Sequence, residues 1–379
     1  MKLLILGSGL MARPVAYDLV RQHDVEQVLV ADVDLKRLRQ LGRWLGSPKL
    51  RTVRADVTDH RVIARLMKKC TVVVSCVPYN YNLGLTRLAI TTRTHFCDLG
   101  GNNAVVRKQL ALTGRARKAR VTVIPDCGLA PGMAGILAAD GFNRLDRTEA
   151  IHIRVGGLPR RPRPPLNYRL VFSTNGLINE YVEPCLVLRD GKPCWVEPLT
   201  DIEELTFPAP FGRLEAFNTS GGSSTLPYTY QGRVKTLDYK TIRYPGHCIQ
   251  FRLLKELGLM DSRPVTVNSR QVVPRQLLIR LLEKVLGFEQ DDVVLLRVEV
   301  QGYKMGKART IRYQLIDYAD KKTGLTAMMR TTGFPAAIVT LMLGRGQTNG
   351  PGVLPGERAI PSERFINELR QRGFRLTSY

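Results

Sequence analysis

The first 128 residues predict an α/β fold that begins with a doubly wound parallel sheet of the Rossmann type. Short runs rich in β-branched residues alternate there with stretches of helical periodicity, and this alternation is typical of parallel sheets. From about residue 148 the strands become longer and the loops become rich in proline and glycine. We therefore expect a second domain of the α+β class, and 379 residues are enough for two globular domains with sizeable cores.

Six strands are expected in the first domain, each a short apolar run that ends at a turn. Their ranges are 2–7, 27–32, 50–56, 71–78, 95–100 and 121–126. The intervening helices are expected over 11–22, 34–45, 59–69, 82–92 and 104–118. The longer strands of the second domain include EAIHIRVGG, LDYKTIRY, DVVLLRVEVQG and RTIRYQLIDYAD, which favour a substantially antiparallel sheet.

The sequence after Thr331 returns to helical periodicity. GFPAAIVTLMLGRG is apolar nearly all round, so we expect it to pack against the first sheet, which would cover it. The loop GPGVLPGERAIP and an amphipathic last helix, SERFINELRQRG, follow.

Composition indicates a soluble cytoplasmic protein with reduced thiols and no structural metal. No window approaches the roughly 20 apolar residues that a membrane span needs, and the N-terminus has no small-residue cleavage site. The seven cysteines show no paired CxxC spacing and lie mostly in apolar runs. The five histidines show no metal-ligand spacing either.

The formal net charge of +24 raises the question of a nucleic-acid partner. A nucleic-acid footprint should be a basic patch or stripe with interleaved aromatic residues. The basic residues are instead spread over almost every segment, with RRPR at 160–163 as the densest run. We expect no nucleic-acid partner, although the charge can attract an anionic ligand such as a dinucleotide.

A glycine-rich turn, GSGLMA at residues 7–12, follows the first strand directly and opens a helix. In a GxGxxA turn the first glycine permits the tight bend, the second lets the backbone approach a pyrophosphate, and the alanine lets helix and strand pack closely. Asp32 ends the second strand, where a carboxylate can bind a ribose hydroxyl. The cofactor-binding residues expected here are Gly7, Gly9, Leu10, Met11 and Asp32.

The same carboxylate predicts NAD as the cofactor. A 2′-phosphate would be repelled by Asp32 and the nearby Asp34, and no arginine occupies positions 33–35. The ends of the third and fourth strands should supply further contacts. We expect Asp56 and Val57 near the adenine, and Cys76, Val77 and Pro78 near the nicotinamide ribose; alternatively, Asp56 only caps the helix at 59–69.

Ligands of open α/β sheets bind outside the carboxyl ends of the strands. That rule places Tyr79, Asp98, Asp126 and Gly128 on one rim. Asp98 and Asp126 each end an apolar strand, so each is a candidate either for chemistry or for a helix N-cap. Two glycines follow Asp98, and we expect them to leave its carboxylate open to a ligand.

In the second domain, YKTIRYPGH at 239–247 is the stretch with the highest density of candidate functional side chains. If it begins as a strand, Lys240 and Arg243 face opposite sides. Arg243 is the better clamp for a substrate carboxylate because a guanidinium binds it bidentately, and a surface or interface ion pair is the alternative. His247 is either an acid/base group or merely a residue at a helix start. Glu215, in an apolar strand before a Gly-Gly turn, is either exposed on an alternating face or placed to bind a cation.

Several motifs together resemble the saccharopine dehydrogenase-like proteins, in the same order over nearly the whole chain. They are GSGLMARP, VVVSCVPYN, VIPDCGLAPGM, VGGLP, PPLNY, EAFNTSGG, YKTIRYPGH and GVLPGE. Within that family, PPLNYRLVFS, FGRLEAFNTSGG and YKTIRYPGH are most similar to the NAD-dependent L-lysine 6-dehydrogenases. The resemblance implies a Rossmann domain over 1–130, an α+β domain for substrate binding and dimerisation over 131–330, and a C-terminal segment over 331–379 that returns to the first domain.

Three departures separate this chain from the saccharopine-forming reductases of the family. Those enzymes carry GLDPG, with an active-site carboxylate, where this chain has Ala130 in GLAPG. They carry a cysteine before GGLP where this chain has Val155, and as NADP enzymes they lack an acid at the position of Asp32. Asp98 and Glu215 fit the lysine dehydrogenase pattern.

The implied reaction is NAD-dependent oxidation of the ε-amine of L-lysine to an imine, which water hydrolyses to the semialdehyde and ammonia. The candidate bases are Asp98, Glu215 and His247, and the candidate substrate-binding residues are Tyr79, Tyr168 and Arg243. The alternatives are reductive condensation of an amine with a carbonyl compound, as in saccharopine or carboxynorspermidine formation, and a non-catalytic dinucleotide-binding or nucleic-acid-associated protein. The resemblance also implies a homodimer.

Overall fold

A computed structural model describes residues 1–378 and divides the chain into two compact units. The first unit contains Met1–Asn143 and Met329–Phe374, and the second contains Arg144–Met328 and the short stretch that begins at Arg375. The first boundary was expected at residue 130. It lies at 143 because the helix that starts at Met133 belongs to the first unit, where Ser362 donates a hydrogen bond to its Asp140 at 2.9 Å.

The strands are numbered in chain order. They are β1 (Lys2–Leu6), β2 (Gln27–Asp32), β3 (Leu50–Arg54), β4 (Val72–Ser75), β5 (His95–Asp98), β6 (Thr122–Ile124), β7 (Arg147–Pro159), β8 (Cys185–Arg189), β9 (Lys192–Val196), β10 (Glu203–Phe207), β11 (Gly212–Asn218), β12 (Thr236–Arg243), β13 (Val265–Val267), β14 (Arg270–Val272), β15 (Asp292–Lys304), β16 (Lys307–Tyr318), β17 (Gly352–Val353) and β18 (Thr377–Ser378).

The helices are numbered in the same way. They are α1 (Ala12–Leu19), α2 (Leu35–Leu45), α3 (His60–Met67), α4 (Asn82–Thr92), α5 (Asn103–Leu110), α6 (Thr113–Ala119), α7 (Met133–Arg144), α8 (Thr174–Val182), α9 (Leu226–Tyr230), α10 (His247–Glu256), α11 (Pro274–Leu286), α12 (Ala327–Gly344), α13 (Gly356–Ala359) and α14 (Ser362–Gln371). Among the described residues, no helix combines the length and the apolar character that a membrane span requires.

The first unit contains a parallel sheet with the strand order β17-β6-β5-β4-β1-β2-β3. This order confirms the doubly wound fold. Six of its strands coincide with the expected ones, and the seventh, β17, is a two-residue strand that pairs with β6. The helix expected over 104–118 is two helices, because Leu112 leaves the helical conformation at ψ 3°.

The core of the first unit lies on the faces of this sheet. Residues Leu3–Leu6 of β1 are fully buried, as β1 lies between β2 and β4. The apolar part of α12 within this unit, Ala336–Leu343, is at most 3% exposed, and Thr340 approaches Cys97 of β5 at 3.3 Å. A helix that is apolar nearly all round is thus buried against a sheet, as its composition requires.

The second unit contains a mixed sheet. Its main order is β10-β11-β12-β7-β15-β16-β18, and β8 joins β12 while β9 joins β8. Strands β7 and β12 pair in parallel, whereas the long strands β7, β15 and β16 pair antiparallel. The expected α+β character is therefore confirmed. Helices α8, α10 and α11 share one apolar cluster with β11, and that cluster contains Tyr168, Tyr181, Phe217 and Phe251.

A buried ion pair ties the last helix to the rest of the first unit. Arg372, which follows α14, donates Nε and Nη2 to the two carboxylate oxygens of Asp18 in α1, at 2.9 and 2.8 Å. The two side chains are 8% and 9% exposed. Burial raises the pKa of Asp18, although the neighbouring Arg372 opposes the shift.

We predict that Arg372→Met destabilises the first unit strongly. The substitution leaves the carboxylate of Asp18 buried without its cation, and losing one partner of a buried pair costs about 3–5 kcal/mol. Urea unfolding followed by circular dichroism measures the change. Arg213→Met is the matched control, because Arg213 and Glu204 form an exposed pair at 3.5 Å that should contribute about 0–1 kcal/mol. Equal stability of the two variants would contradict the anchoring role of Arg372.

Candidate active site

The glycine turn after β1 fits closely against the end of β4. Gly7 has φ +96°, and a Cβ atom there would lie 3.0 Å from the carbonyl oxygen of Cys76 and 3.1 Å from Cγ1 of Val77. Only glycine satisfies both conditions. At Gly9, by contrast, a Cβ atom would have no described atom beyond its chain neighbours within 4 Å, so the backbone there is open to a ligand.

Asp32 is bonded to this turn. Its Oδ2 accepts hydrogen bonds from the backbone N–H of Ser8 at 2.6 Å and from the Ser8 hydroxyl at 2.8 Å. Its Oδ1 accepts from the backbone N–H of Asp34 at 2.8 Å. Burial alone would raise the pKa of Asp32, but these hydrogen bonds outweigh it and the pKa is lowered. The carboxylate is therefore ionised at neutral pH and fixes the end of β2 against the turn.

A cavity of about 600 Å³ adjoins the turn within the first unit. Two arginines that the motif did not predict line it: Arg13, 4.6 Å from the ring centroid of Trp44, and Arg37, paired with Asp34 at 3.3 Å. The remaining lining residues are Ser8, Gly9, Leu10, Gln40 and Leu41. A positively charged cavity beside a glycine turn suits an anionic ligand.

Other expected cofactor contacts occupy the neighbouring strand ends. Asp56 accepts hydrogen bonds from the backbone and the hydroxyl of Thr58, at 2.8 and 2.7 Å. It does not cap the next helix, because Asp59 caps α3 through the N–H groups of Arg61 and Val62. Val57 is partly buried and packs against the apolar core of the first unit. Near the end of β4, Pro78 is exposed.

Asp98 is closed to a ligand in this structure. Its side chain is fully buried and accepts hydrogen bonds from the N–H of Gly100 at 2.8 Å, the amide of Gln109 at 2.7 Å and the N–H of Asp126 at 3.3 Å. Burial raises its pKa. The expectation that the two glycines leave this carboxylate open is therefore wrong. Gly100, at φ +71°, instead makes room for the side chain of Asp126, which a Cβ atom would overlap.

Tyr79 lies on the same rim of the sheet. Its ring would lie 3.2 Å from a Cβ atom at Gly101, and its side chain is partly buried. Tyr79 therefore packs over the turn that follows β5.

In the second unit, Glu215 caps a helix from a neighbouring strand. Its carboxylate accepts hydrogen bonds from the backbone N–H groups of Gly246 at 2.9 Å and Cys248 at 2.7 Å, at the start of α10. The side chain is neither exposed on an alternating face nor open to a cation, the two roles considered from the sequence. It satisfies N–H groups that the helix itself leaves unpaired.

His247, the first residue of α10, is buried among aromatic rings. Its ring stacks on Phe251 with centroids 4.4 Å apart. Nδ1 lies 3.3 Å from the carbonyl oxygen of Leu166 and Nε2 lies 3.0 Å from the hydroxyl of Tyr181. A carbonyl can only accept, so Nδ1 carries the proton and Nε2 accepts from Tyr181. Burial, aided by Arg243, lowers the pKa of His247 well below its usual value, which keeps the ring neutral.

Arg243 lies next to this histidine and is 2% exposed. Its Nε donates to the hydroxyl of Tyr181 at 3.1 Å, its Nη1 donates to the carbonyl of Ile242 at 2.9 Å, and its guanidinium carbon lies 4.9 Å from the ring centroid of Tyr168. No carboxylate among the described residues forms an ion pair with it. The alternative role in a surface ion pair therefore does not fit.

Lys240 has quite different partners from Arg243. Its ammonium group donates to Glu203 at 2.9 Å and to the carbonyl oxygen of Asp201 at 2.6 Å.

Within residues 1–378, no group of three or more histidine, cysteine, aspartate or glutamate side chains is placed to hold a metal ion.

Two further polar side chains of the second unit, Tyr168 and Glu180, lack hydrogen-bond partners in the described chain and are candidates for binding a ligand. The hydroxyl of Tyr168 is buried and has no hydrogen-bond partner in the described chain, and burial raises its pKa to about 12. Glu180, which was not anticipated, lies beside Tyr181 on α8, and burial raises its pKa to about 7 although Arg243 opposes the shift. The helical spacing of Leu177, Ile178 and Tyr181 was the signal that could have placed Glu180 at the border of the core.

The structure thus brings Glu215, His247, Tyr168 and Arg243 together in the second unit. It brings the glycine turn together with Asp32, Cys76 and Val77 in the first. The doubly wound sheet, the glycine turn and the carboxylate that ends β2 are together typical of a domain that binds a dinucleotide cofactor.

Two family models match the chain, and together they span most of it. Residues 3–124 match the saccharopine dehydrogenase NADP binding domain, and residues 128–374 match the saccharopine dehydrogenase C-terminal domain. The chain belongs to the saccharopine dehydrogenase family, which confirms the resemblance carried by its motifs.

Two known enzymes are similar to this chain over nearly their full length. The NADP⁺-dependent, L-glutamate-forming saccharopine dehydrogenase of Saccharomyces cerevisiae is 23% identical over 97% of this chain and 96% of its own. The carboxyaminopropylagmatine dehydrogenase of Synechocystis sp. is 21% identical over 98% of this chain and 96% of its own. The apo structure of the S. cerevisiae enzyme superposes with a TM-score of 0.82 at 22% identity, covering 100% of this chain and 99% of that chain. The identity is low, so this likeness establishes the fold rather than the substrate.

We predict that His247 makes the stability of the second unit depend on pH. Its pKa is lower in the folded than in the unfolded chain, so below pH about 6.5 the unfolded chain binds a proton that the folded chain does not. This difference should reduce stability by up to about 1.4 kcal/mol per pH unit as the pH falls further. Urea unfolding of wild type and His247→Asn between pH 7 and 5 measures it, and the variant should lack this component.

The matched control is His23→Asn, because His23 is exposed. That variant should keep the pH dependence of the wild type. A constant difference in stability between wild type and His247→Asn over the whole pH range would show that the buried ring is not held neutral.

Proposed function

We propose that this protein oxidises the ε-amine of L-lysine with NAD, releasing ammonia and the 6-semialdehyde, which cyclises to piperideine-6-carboxylate. The observation that carries the proposal is Arg243, a buried cation with no carboxylate partner in the described chain, beside the unpartnered hydroxyl of Tyr168. A buried guanidinium of this kind is suited to the carboxylate of an amino acid. The resemblance of PPLNYRLVFS, FGRLEAFNTSGG and YKTIRYPGH to lysine 6-dehydrogenases supports the choice of lysine.

The residues of the first unit fit a nicotinamide cofactor. The open backbone at Gly9, between Gly7 and the residues Leu10 and Met11, would hold the pyrophosphate, and Asp32 would hold the adenosine ribose. Asp56 and Val57 would lie near the adenine, and Cys76, Val77 and Pro78 near the nicotinamide ribose. The cofactor, when bound, supplies the acceptor for the hydride that leaves the substrate. The ionised Asp32 supports NAD over NADP, because a 2′-phosphate beside it would be repelled.

Arg243 and Tyr168 would hold the α-carboxylate of lysine. Asp98, Glu215 and His247 would act as positioning residues, because each is buried and already bonded. Glu215 fixes the start of α10, His247 on that helix holds the hydroxyl of Tyr181, and this hydroxyl accepts from Arg243. The guanidinium is thereby oriented before any substrate arrives.

Oxidation requires the neutral form of the substrate amine, since a hydride leaves only from carbon that bears a free amine lone pair. With a lysine pKa of about 10.4, reaching the neutral amine at pH 7 costs roughly 4–5 kcal/mol. Because the three candidate bases are engaged with other groups, the ionisation of the substrate itself should govern the rate.

The second candidate function is reductive condensation of an amine with a carbonyl compound. The similarity to the named saccharopine and carboxyaminopropylagmatine dehydrogenases favours it. Such a product carries more carboxylates and calls for more cations in the substrate cluster. Arg243 is the cation that acts on both Tyr168 and Glu180, which supports the smaller substrate.

The deciding test is NADH formation by the purified protein with L-lysine and NAD. We expect lysine-dependent NADH, with kcat/KM rising by up to about tenfold per pH unit between pH 7 and 10 because the neutral amine becomes more abundant. L-norleucine, which lacks the ε-amine, is the control substrate and should give no NADH. Reduction of NADP with saccharopine, together with no reduction of NAD with lysine, would overturn the proposal.

We also predict that Asp32 determines the preference for NAD. Asp32→Ala removes the charge that repels a 2′-phosphate, so the ratio of kcat/KM with NAD to kcat/KM with NADP should fall by about tenfold or more. Steady-state rates with both cofactors measure the ratio. Glu26→Gln is the matched control, since it removes an exposed negative charge at the opposite end of β2 and should leave the ratio unchanged. An unchanged ratio in Asp32→Ala would show that selectivity arises elsewhere.

A further inference from the structure

The loop at residues 161–169 places Tyr168 against the guanidinium of Arg243. The ring centroid of Tyr168 lies 4.9 Å from the guanidinium carbon and 5.1 Å from the centroid of the His247 ring. Arg243 is 2% exposed and Tyr168 is 1% exposed. The Nη2 atom of Arg243 makes no hydrogen bond in the described chain, yet an anion from solution can reach it only if part of this covering moves.

Backbone hydrogen bonds fix both ends of this loop. Directly before it, the N–H of Arg160 donates to the carbonyl oxygen of Asp291 at 3.2 Å. Directly after it, the N–H of Leu170 donates to the carbonyl oxygen of Gly287 at 3.1 Å. Residues 161–169 therefore run between two fixed points, and such points can act as the hinges of a moving segment.

Between these ends the loop has few attachments. Residues 161–165 are exposed, and neither of their arginines makes a hydrogen bond or an ion pair with the described residues. No backbone N–H of residues 161–169 pairs with a backbone carbonyl of another strand or helix in the described chain. The polar contacts that remain are those of the Leu166 carbonyl with Nδ1 of His247 at 3.3 Å and of the Arg169 side chain with the Val285 carbonyl at 3.1 Å.

Two features oppose this position of the loop. The hydroxyl of Tyr168 is buried without a hydrogen-bond partner in the described chain, and burying an unpaired hydroxyl costs free energy. Leu166 and Asn167 both adopt the left-handed backbone conformation, at φ +66° and +48°, which is unfavourable for residues with a side chain. Opening of the loop would relieve both costs. A ligand that accepts a hydrogen bond from Tyr168 would relieve the first cost with the loop closed.

We propose that residues 161–169 form a lid over Arg243, which opens to admit the α-carboxylate of an amino acid and closes when Arg243 and Tyr168 bind it. The identity of this ligand rests on the proposed function. A ligand that binds the closed form better than the open form shifts the lid towards closure. The basic run RRPR overlaps the exposed half of the lid, so an approaching carboxylate meets positive charge there.

Limited proteolysis with chymotrypsin measures the opening, because this protease cleaves after tyrosine and phenylalanine and requires an accessible segment. In the ligand-free protein, initial cleavage after Tyr168 should be at least about tenfold faster than cleavage after Phe251, which is buried in the same apolar cluster. Mass spectrometry of the fragments gives both rates. Equal rates would mean that Tyr168 is exposed only by unfolding of the cluster, which would overturn the lid.

Tyr168→Phe tests the cause of the opening. This substitution keeps an aromatic ring over Arg243 and keeps the cleavage site, but it removes the unpartnered hydroxyl, so cleavage after residue 168 should slow by about threefold or more. Tyr228→Phe removes an exposed hydroxyl elsewhere in the second unit and is the matched control, which should leave this rate unchanged. An unchanged or faster rate in Tyr168→Phe would contradict the proposal. Thermal unfolding of each variant shows whether it is folded.

L-Norleucine, which has the α-carboxylate but no ε-amine, tests the closure. At about ten times the Kd measured by calorimetry, it should slow cleavage after Tyr168 by about tenfold, because it binds the closed form. Hexylamine lacks the carboxylate and should not slow this cleavage. Slowing by L-norleucine without NADH formation from L-lysine would support the lid and overturn the proposed oxidation. NADH formation from L-lysine without slowing by L-norleucine would support the oxidation and overturn the lid.

Discussion

Both units depend on buried carboxylates that accept hydrogen bonds from backbone N–H groups. A backbone donor that leaves a helix or sheet inside a protein must find an acceptor, or its burial costs free energy. Asp98 accepts from Gly100 and Asp126 in the first unit. Glu215 receives the donors at the start of α10, and Asp292 receives those of Ala327 and Met328 at 2.5 and 2.9 Å. The turns beside the candidate site keep their shape because these acids hold them.

In the second unit, one of these carboxylates begins a series of hydrogen bonds that ends at the guanidinium of Arg243. Glu215 fixes the first turn of α10, and His247 in that turn is held neutral by burial. A neutral ring can accept from Tyr181, whose oxygen stays free to accept from Arg243. A protonated ring would add a second positive charge beside the guanidinium, which the buried site disfavours. The low pKa of His247 therefore keeps a second positive charge away from Arg243.

The fold was largely predictable because strand and helix periodicity are local properties of the sequence. The alternation up to residue 126 predicted six strands of the first sheet, whereas β17 is two residues long and exists through its pairing with β6. The site was less predictable. Glu215 and its backbone donors are 31 and 33 residues apart, and Tyr181 meets Arg243 across 62 residues. Spacing within a motif carries no signal for such contacts, so the sequence did not reveal that Asp98 and Glu215 accept hydrogen bonds from distant backbone N–H groups.

Asp32 shows how a structural bond and a proposed selectivity combine in one carboxylate. A carboxylate has about four acceptor positions, and Ser8 and Asp34 fill three of them. Both bonds from Ser8 reach Oδ2, while Oδ1 accepts one donor and retains one position. A ribose hydroxyl can donate there, whereas a phosphate has no proton to offer and carries the same sign of charge. Because the existing bonds also keep Asp32 ionised, the discrimination against a 2′-phosphate would be set by the fold before any cofactor binds.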